Sequence, residues 1–159
     1  MADYTLEEKD QFSVVGLGTE LKSHYTDFAG LNKEKEEFWT AVSQDGRLNR
    51  LKAIATNDYI FAVNEAVNNK MMHYAGVMAE GQAPAEARLI QFPKGQYLVV
   101  KGEEKTAEEL NNKLTGLAFG QALAEAKNFA YVGGPNTTVI MGQRNGLVFG
   151  EMWIPVVER

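Results

Sequence analysis

The pattern of apolar and polar positions follows the same order of elements twice along the chain. Period-two alternation predicts strands, and apolar residues three or four positions apart predict helices. The first half predicts a strand at 12–21, helical segments around 38–42 and 48–55, and strands at 59–63 and 71–79. The second half predicts a strand at 88–101 interrupted at 92–95, a helix from 106, and a hairpin of 137–143 with 147–157.

Short polar motifs indicate where these elements begin and end. Asn32 precedes the Phe38-Trp39 segment and is a suitable N-cap for the first helix, which Asp45-Gly46 interrupts. The run from Thr106 to Glu109 has the form of a capping box. Asn145-Gly146 is the preferred pair for a type I′ turn, so we expect a tight hairpin there.

The repeated order predicts an α+β fold made of duplicated βαββ units related by pseudo-twofold symmetry, with an antiparallel sheet. We expect one domain over residues 1–159, with repeat 1 at about 5–80 and repeat 2 at about 86–159. The linker at 81–86 is too short to suggest two separate domains. A central cleft between two such halves is a usual place for a ligand.

Composition removes several classes of function. The 159 residues include no cysteine, and His24 and His73 have no metal-site spacing, so we expect no metal and no cofactor. The net charge of −5 argues against direct binding of nucleic acid, which needs a basic face. The absence of a signal-like start and of a long apolar run predicts a cytoplasmic protein without a membrane segment.

Glu151 is the strongest candidate for a functional side chain. Alternation along the last strand places Phe149, Glu151 and Trp153 on one face. Aromatic rings beside a carboxylate can hold a cation through cation–π and charge interactions. The competing interpretation is a solvated carboxylate on an exposed strand.

Other aromatic residues are weaker candidates for the lining of the same cleft. Core packing explains each of them as well, because large rings dominate core burial. They are Trp39, Phe61, Tyr74, Phe92 and Tyr97.

In order and spacing, the chain resembles the GyrI-like effector-binding domains, which also occur in AraC-type and other drug-sensing transcription regulators. The segments that carry the resemblance are Phe12-Ser-Val-Val-Gly16, Phe38-Trp39, Tyr74-Ala-Gly-Val77, Phe92-Pro-Lys-Gly-Gln-Tyr97 and Glu151-Met-Trp-Ile-Pro-Val156. The resemblance implies a duplicated βαββ fold with a central cleft, and a cation-facing glutamate in the last strand, at Glu151. A tryptophan often seen in the second helix of such domains is replaced here by the run 117–123.

Three functions remain open at this point. The first is a stand-alone module that binds lipophilic, planar or cationic small molecules. The alternative is a hydrolase of reactive cyclopropane-bearing alkylating compounds, which the resemblance implies for some members. Glu151 would then be the general base, and Tyr97 or Tyr74 would donate a proton. The third is a protein-interaction module with a partner docked on an acidic patch such as 34–37.

Overall fold

Strands from both halves of the chain form one antiparallel sheet. A computed structural model describes residues 4–24, 26–80, 83–84, 86–131 and 133–158. Its strands are β1 (Thr5–Lys9), β2 (Phe12–Leu21), β3 (Ile60–Val67), β4 (Lys70–Met78), β5 (Arg88–Phe92), β6 (Gly95–Glu104), β7 (Phe129–Tyr131), β8 (Asn136–Arg144) and β9 (Leu147–Glu158). Its helices are α1 (Phe28–Gln44), α2 (Arg47–Lys52), α3 (Ala107–Thr115) and α4 (Leu123–Glu125), with a π-helical segment, Gly116–Ala122, between the last two.

The strand order shows the duplication. Across the described sheet it is β1-β6-β9-β8-β3-β4-β2-β5, and β7 pairs with β9. The halves meet where β3 pairs with β8, for instance at Ala62 and Thr138. On each side of this pair the chain runs strand, helix, hairpin, which confirms the predicted duplicated βαββ fold. The assignment of 1–159 to one domain stays a prediction.

Both hairpins turn through residues with positive φ. The β3–β4 turn uses Asn68 (φ 52°) and Asn69 (φ 64°), and the β8–β9 turn uses Asn145 (φ 54°) and Gly146 (φ 78°). Positive φ at both central residues is the geometry of a type I′ turn, which matches the twist of paired strands. The turn predicted at Asn145-Gly146 is confirmed, and the β3–β4 turn lies at the equivalent place in the first repeat.

The first helix begins earlier than predicted. Asp27 is the N-cap, and its Oδ1 accepts a hydrogen bond from Gly30 N at 3.1 Å. The prediction of Asn32 as the N-cap was therefore wrong, and Asn32 lies inside α1. The added turn carries Phe28, which is 73% exposed, so apolar periodicity gave no signal for it. The predicted interruption is confirmed, because Gly46 takes a φ of 85° between α1 and α2.

The second long helix begins at its predicted cap. Thr106 Oγ1 accepts a hydrogen bond from Glu109 N at 3.1 Å, and Leu110 and Leu114 are fully buried beneath the helix. The π-helical segment after α3 was not predicted. A π-helical turn has about one residue more than an α-helical turn, and this difference does not change the spacing of apolar residues enough to be recognised in the sequence.

The two faces of the sheet differ in what covers them. Helices α1 and α2 pack over β2 and β4, and α3 packs over β6 and β9, so both repeats place their helices on the same side. We call the opposite side the aromatic face, since it carries a core to which no described helix contributes. Its buried members are Val14, Phe61, Val63, Tyr74, Ile90, Phe92, Tyr97, Val99, Val139 and Trp153.

Glycines allow close contact on this face. A Cβ at Gly18 would lie 2.6 Å from Cε1 of Tyr74, so the tyrosine ring crosses the strand where β2 has no side chain. A Cβ at Gly76 would lie 2.5 Å from the carbonyl oxygen of Val15. Close approach is what glycine inside a strand indicates.

Two short strands lie outside the predicted elements. Strands β1 and β7 were not predicted, because β1 is largely charged and β7 has three residues. The predicted linker at 81–86 includes Gly81, Gln82 and Ala85, which lie outside the described residues. No helix in the described part of the chain is long and apolar enough to span a membrane.

Candidate functional site

A cleft of about 360 Å³ lies between α1 and α3, where the two repeats meet. Small-molecule sites typically have volumes of about 300–1,000 Å³. Helix α1 forms one wall, α3 the other, and strands β3, β4 and β8 the floor. The lining residues are Asn32, Lys35, Glu36, Trp39, Thr40, Ile60, Ala62, His73, Ala107, Glu108, Asn111, Asn112 and Ile140.

The floor of the cleft is mainly apolar. Ile60 and Ala62 of β3 point into it and Phe61 between them packs on the aromatic face, as strand alternation requires. Ile140 of β8, directly opposite Ile60 in the ladder, completes the apolar surface. An apolar ligand would therefore be stabilised on this floor, because binding removes apolar surface of the ligand and of the protein from water.

Charged and amide groups lie around the apolar floor. The cleft lining holds one lysine, Lys35, and two glutamates, Glu36 and Glu108, which leaves one net negative charge. Burial lowers the pKa of Lys35. Asn111 Oδ1 accepts a hydrogen bond from Thr138 Oγ1 at 2.5 Å, so its NH₂ group is the part left to donate.

A buried histidine fixes the tryptophan in the cleft wall. Trp39 Nε1 donates to His73 Nε2 at 2.9 Å, and His73 Nδ1 lies 2.9 Å from Asn64 Oδ1. Because Nε2 accepts, the ring proton sits on Nδ1 and is donated to Asn64. His73 is 1% exposed, and burial, helped by the charge of Lys35, lowers its pKa to about 3. The imidazole is therefore neutral at physiological pH.

The hydrogen-bond chain continues across the boundary between the repeats. Asn64 Nδ2 donates to Asn136 Oδ1 at 3.3 Å, and Asn136 Nδ2 donates to Tyr131 OH at 3.2 Å. Tyr131 OH in turn donates to the carbonyl of Gly134. The sequence pattern did not predict this series of hydrogen bonds. A local signal exists only at His73, a polar residue at a strand position between Met72 and Tyr74.

The predicted site residues divide between the two faces of the sheet. Trp39 lines the cleft, whereas five of the other rings belong to the core of the aromatic face: Phe61, Tyr74, Phe92, Tyr97 and Trp153. Phe61, Phe92 and Tyr97 are fully buried. Tyr74 and Trp153 are nearly so. Core packing accounts for these positions.

Glu151 also lies on the side opposite the cleft. The predicted common face of Phe149, Glu151 and Trp153 is confirmed, since the alternate residues Val148, Met152 and Ile154 pack beneath α3. Within β9, Trp153 Nε1 donates to Glu151 Oε1 at 2.8 Å.

A lysine on the neighbouring strand partners the same carboxylate. Lys101 Nζ lies 3.8 Å from Glu151 Oε2, and the glutamate side chain is 17% exposed. The position is therefore largely shielded, not a solvated stripe. Phe149 lies nearer the hairpin, with the Arg144 guanidinium 4.5 Å from its ring centre.

The two candidate proton donors have other hydrogen-bond partners. Tyr97 OH donates to the carbonyl of Pro93 at 2.6 Å, and burial raises its pKa to about 12. Tyr74 OH donates to Glu65 at 3.2 Å, and burial together with that carboxylate raises its pKa. Arg88 makes two further contacts to Glu65, at 3.1 and 3.3 Å. These contacts lend no support to the hydrolase alternative, which stays a prediction.

Sequence comparison decides the family. Residues 5–156 match the family model described as Cass2, integron-associated effector binding protein. The chain belongs to this family. The predicted resemblance to effector-binding domains is thereby confirmed. No curated protein matches the chain in sequence.

Solved structures share the fold at low sequence identity. SAV2435 bound to tetraphenylphosphonium has a TM-score of 0.78 and 16% identity, over 98% of this chain and 94% of that chain. A putative bacterial transcription regulation protein from Staphylococcus aureus MU50 has a TM-score of 0.74 and 16% identity, over 98% and 99%. The integron cassette protein VCH_CASS2 of Vibrio cholerae has a TM-score of 0.62 and 10% identity, over 97% and 95%. At these identities the likeness shows the fold alone.

Proposed function

We propose that this protein binds a lipophilic small molecule, planar or cationic, in the cleft between α1 and α3. The observation that carries the proposal is the cleft itself, about 360 Å³ with an apolar floor and a tryptophan in its wall. Membership of an effector-binding family supports it. So does the tetraphenylphosphonium bound to the structural neighbour SAV2435, since that ligand is a lipophilic cation.

The cleft wall is arranged before any ligand arrives. The hydrogen bond from Trp39 to His73 fixes the indole, and the further bonds to Asn64 and Asn136 hold the histidine in place. A side chain that is already ordered loses less conformational entropy when a ligand packs against it. Trp39 is therefore a ready stacking surface for a flat or aromatic group.

Charge favours a neutral or cationic ligand over an anionic one. Glu36 and Glu108 outnumber Lys35 in the lining, and the whole chain carries a net charge of −5. An acidic cleft raises the local concentration of cations and repels anions. The cationic group of a ligand is expected near the two glutamates, with its apolar part on the floor.

Isothermal titration calorimetry with tetraphenylphosphonium and with the planar cation ethidium tests this proposal. Trp39→Ala removes the stacking wall and is expected to weaken binding about tenfold or more, which corresponds to ~1.4 kcal/mol. Phe28→Ala is the matched control, because it removes an exposed ring from the same helix outside the cleft. Equal affinities for wild type and Trp39→Ala would sink the proposal.

The predicted role of Glu151 as a cation partner is a separate proposal, because its carboxylate is on the other face. Glu151→Gln is expected to leave binding in the cleft unchanged. If Glu151→Gln abolished binding and Trp39→Ala had no effect on it, the result would indicate that the ligand binds on the aromatic face instead of in the cleft.

A further inference from the structure

Lys35 brings an amine into the lining of the cleft. It lies on α1, four positions before Trp39, and both side chains line the cleft. Residues four positions apart on a helix are neighbours on one face, with Cβ atoms about 5–6 Å apart. The wall formed by α1 therefore presents an aromatic surface and an amine side by side.

In the described part of the chain, no group pairs with the Lys35 ammonium through an ion pair or a hydrogen bond. The preceding carboxylate is already in use, because Glu34 accepts hydrogen bonds from the backbone of Lys22 at 2.8 Å and of Ser23 at 3.0 Å. Lys35 is partly buried, and burial lowers its pKa. A desolvated lysine without an anionic partner has a larger share of the neutral amine, which is the nucleophilic form.

The other side chains of the cleft that could act as nucleophiles are occupied or weak. His73 uses one ring nitrogen to accept from Trp39 and the other to donate to Asn64. Thr40 has a hydroxyl group, which is a poor nucleophile unless a base activates it. The chain contains no cysteine. Lys35 is therefore the strongest nucleophile among the described residues that line the cleft.

The opposite wall carries a hydrogen-bond donor suited to a carbonyl oxygen. Asn111 of α3 lines the cleft, and its NH₂ group is left to donate because its oxygen accepts from Thr138. A donor at a carbonyl oxygen stabilises the negative charge that develops there when an amine adds to the carbon. An amine and an amide donor thus face one apolar space from its two walls.

We propose that Lys35 captures neutral aromatic aldehydes in the cleft as a reversible imine. The aldehyde ring stacks on Trp39 and covers the apolar floor, which brings the carbonyl carbon to the neighbouring amine. The inference rests on the proposed function, because it takes the same cleft as the ligand site. It adds a covalent step and a ligand class that carries no charge of its own.

The reaction needs no oxidant, reductant or cofactor. The lone pair of the neutral amine attacks the carbonyl carbon, and a proton passes from nitrogen to oxygen to give a carbinolamine. The C–O bond then breaks, the oxygen leaves as water, and a C=N bond forms, so one amine and one aldehyde give one imine and one water. The protonated imine is a cation, which the excess of Glu36 and Glu108 over other charges in the lining stabilises.

Trapping with 2-naphthaldehyde and sodium cyanoborohydride tests the proposal. The reagent reduces an imine to a stable secondary amine, and peptide mass spectrometry identifies the modified lysine. Lys33 is the matched comparison within the same molecule, since it is exposed on the same helix and lies outside the cleft. We expect Lys35 to be labelled at least about tenfold faster than Lys33, because binding of the ring raises the local concentration of aldehyde beside the amine. Equal rates at the two lysines would overturn the proposal.

Two substitutions at Lys35 test the role of the amine itself. Lys35→Met keeps the length and apolar character of the side chain, and Lys35→Arg keeps its charge. In both variants we expect the fast phase of labelling to disappear, whereas Lys33→Met is expected to keep it. A fast phase that persists in Lys35→Arg would contradict the assignment. The comparison of Lys33 with Lys35 in the wild type holds even where a variant folds poorly.

Competition shows whether the reaction takes place in the cleft. Saturating tetraphenylphosphonium is expected to slow labelling of Lys35 and to leave Lys33 unaffected. Fast labelling of Lys35 that bound tetraphenylphosphonium does not slow would place the reaction elsewhere and overturn the inference. Tight binding of 2-naphthoate that is lost in Lys35→Met, without fast labelling of Lys35, would show a lysine that pairs with anions instead. The cleft proposal fails on a different result, the insensitivity of tetraphenylphosphonium binding to Trp39→Ala.

Discussion

His73 makes the stability of the protein depend on pH in a range where carboxylates contribute little. The folded chain holds the imidazole neutral, with a pKa of about 3, because burial penalises the charged form and Lys35 adds repulsion. In the unfolded chain the same ring has its ordinary pKa of about 6.5. Below pH 6.5 the unfolded state therefore binds a proton that the folded state does not.

The size of the effect follows from linkage. His73 carries no penalty above pH 6.5, and the free energy of unfolding then falls by about 1.4 kcal/mol per pH unit as the pH drops towards 3. At pH 5 the expected loss is about 2 kcal/mol. Glu34, whose pKa is lowered by hydrogen bonds from the Lys22 and Ser23 backbone, adds a loss only below its ordinary value of 4.5. The window from pH 7.5 to 5 therefore isolates the histidine.

Urea unfolding followed by circular dichroism at pH 7.5, 6 and 5 measures the effect. His73→Gln provides the comparison, because glutamine can accept from Trp39 and donate to Asn64 but does not titrate. We expect the wild type to lose about 2 kcal/mol more than the variant between pH 7.5 and 5. Equal losses in the two proteins would refute a neutral, buried His73.

Three further substitutions test the packing that positions the cleft, each by chemical unfolding at pH 7.5. Thr106→Ala removes the N-cap of α3 and is expected to cost about 1 kcal/mol, with Thr106→Ser close to wild type. Leu114→Ala empties a fully buried position beneath α3 and is expected to cost about 2–5 kcal/mol; a loss below 1 kcal/mol would contradict its place in that core. Gly150→Ala would place a Cβ 2.1 Å from the carbonyl oxygen of Val139 and is expected to disrupt the β8–β9 pair, whereas Gly120→Ala meets no atom within 4 Å and is expected to be mild.

Local signals in the sequence were sufficient for the hairpins and the order of elements. Asn145-Gly146 fixes a turn by its backbone preference, and Thr106 marks a helix start within four residues of chain. The start of α1 could not be placed in this way. Asp27 and Asn32 are both acceptable caps, and the exposed Phe28 offers no apolar periodicity between them.

The candidate site depends on contacts that no local pattern contains. Trp39 and His73 are 34 positions apart, and Asn64 and Asn136 are 72 apart. The strand registers bring the polar residues together, because Asn64 of β3 lies opposite His73 of β4 and opposite Asn136 of β8. Alternation correctly grouped Glu151 with Trp153, but both faces of β9 are largely buried. The pattern therefore did not reveal which face lies beneath the helices.

The two tryptophans of the chain allow one measurement to report on both candidate sites. Each indole N–H has a different partner, His73 for Trp39 and Glu151 for Trp153, so each should give a distinct signal in a ¹⁵N-resolved NMR spectrum. Trp39→Phe and Trp153→Phe assign the two signals. Titration of the wild type with tetraphenylphosphonium is expected to shift the Trp39 signal at the lowest ligand concentrations. A shift of Trp153 with Trp39 unmoved would contradict ligand binding in the cleft.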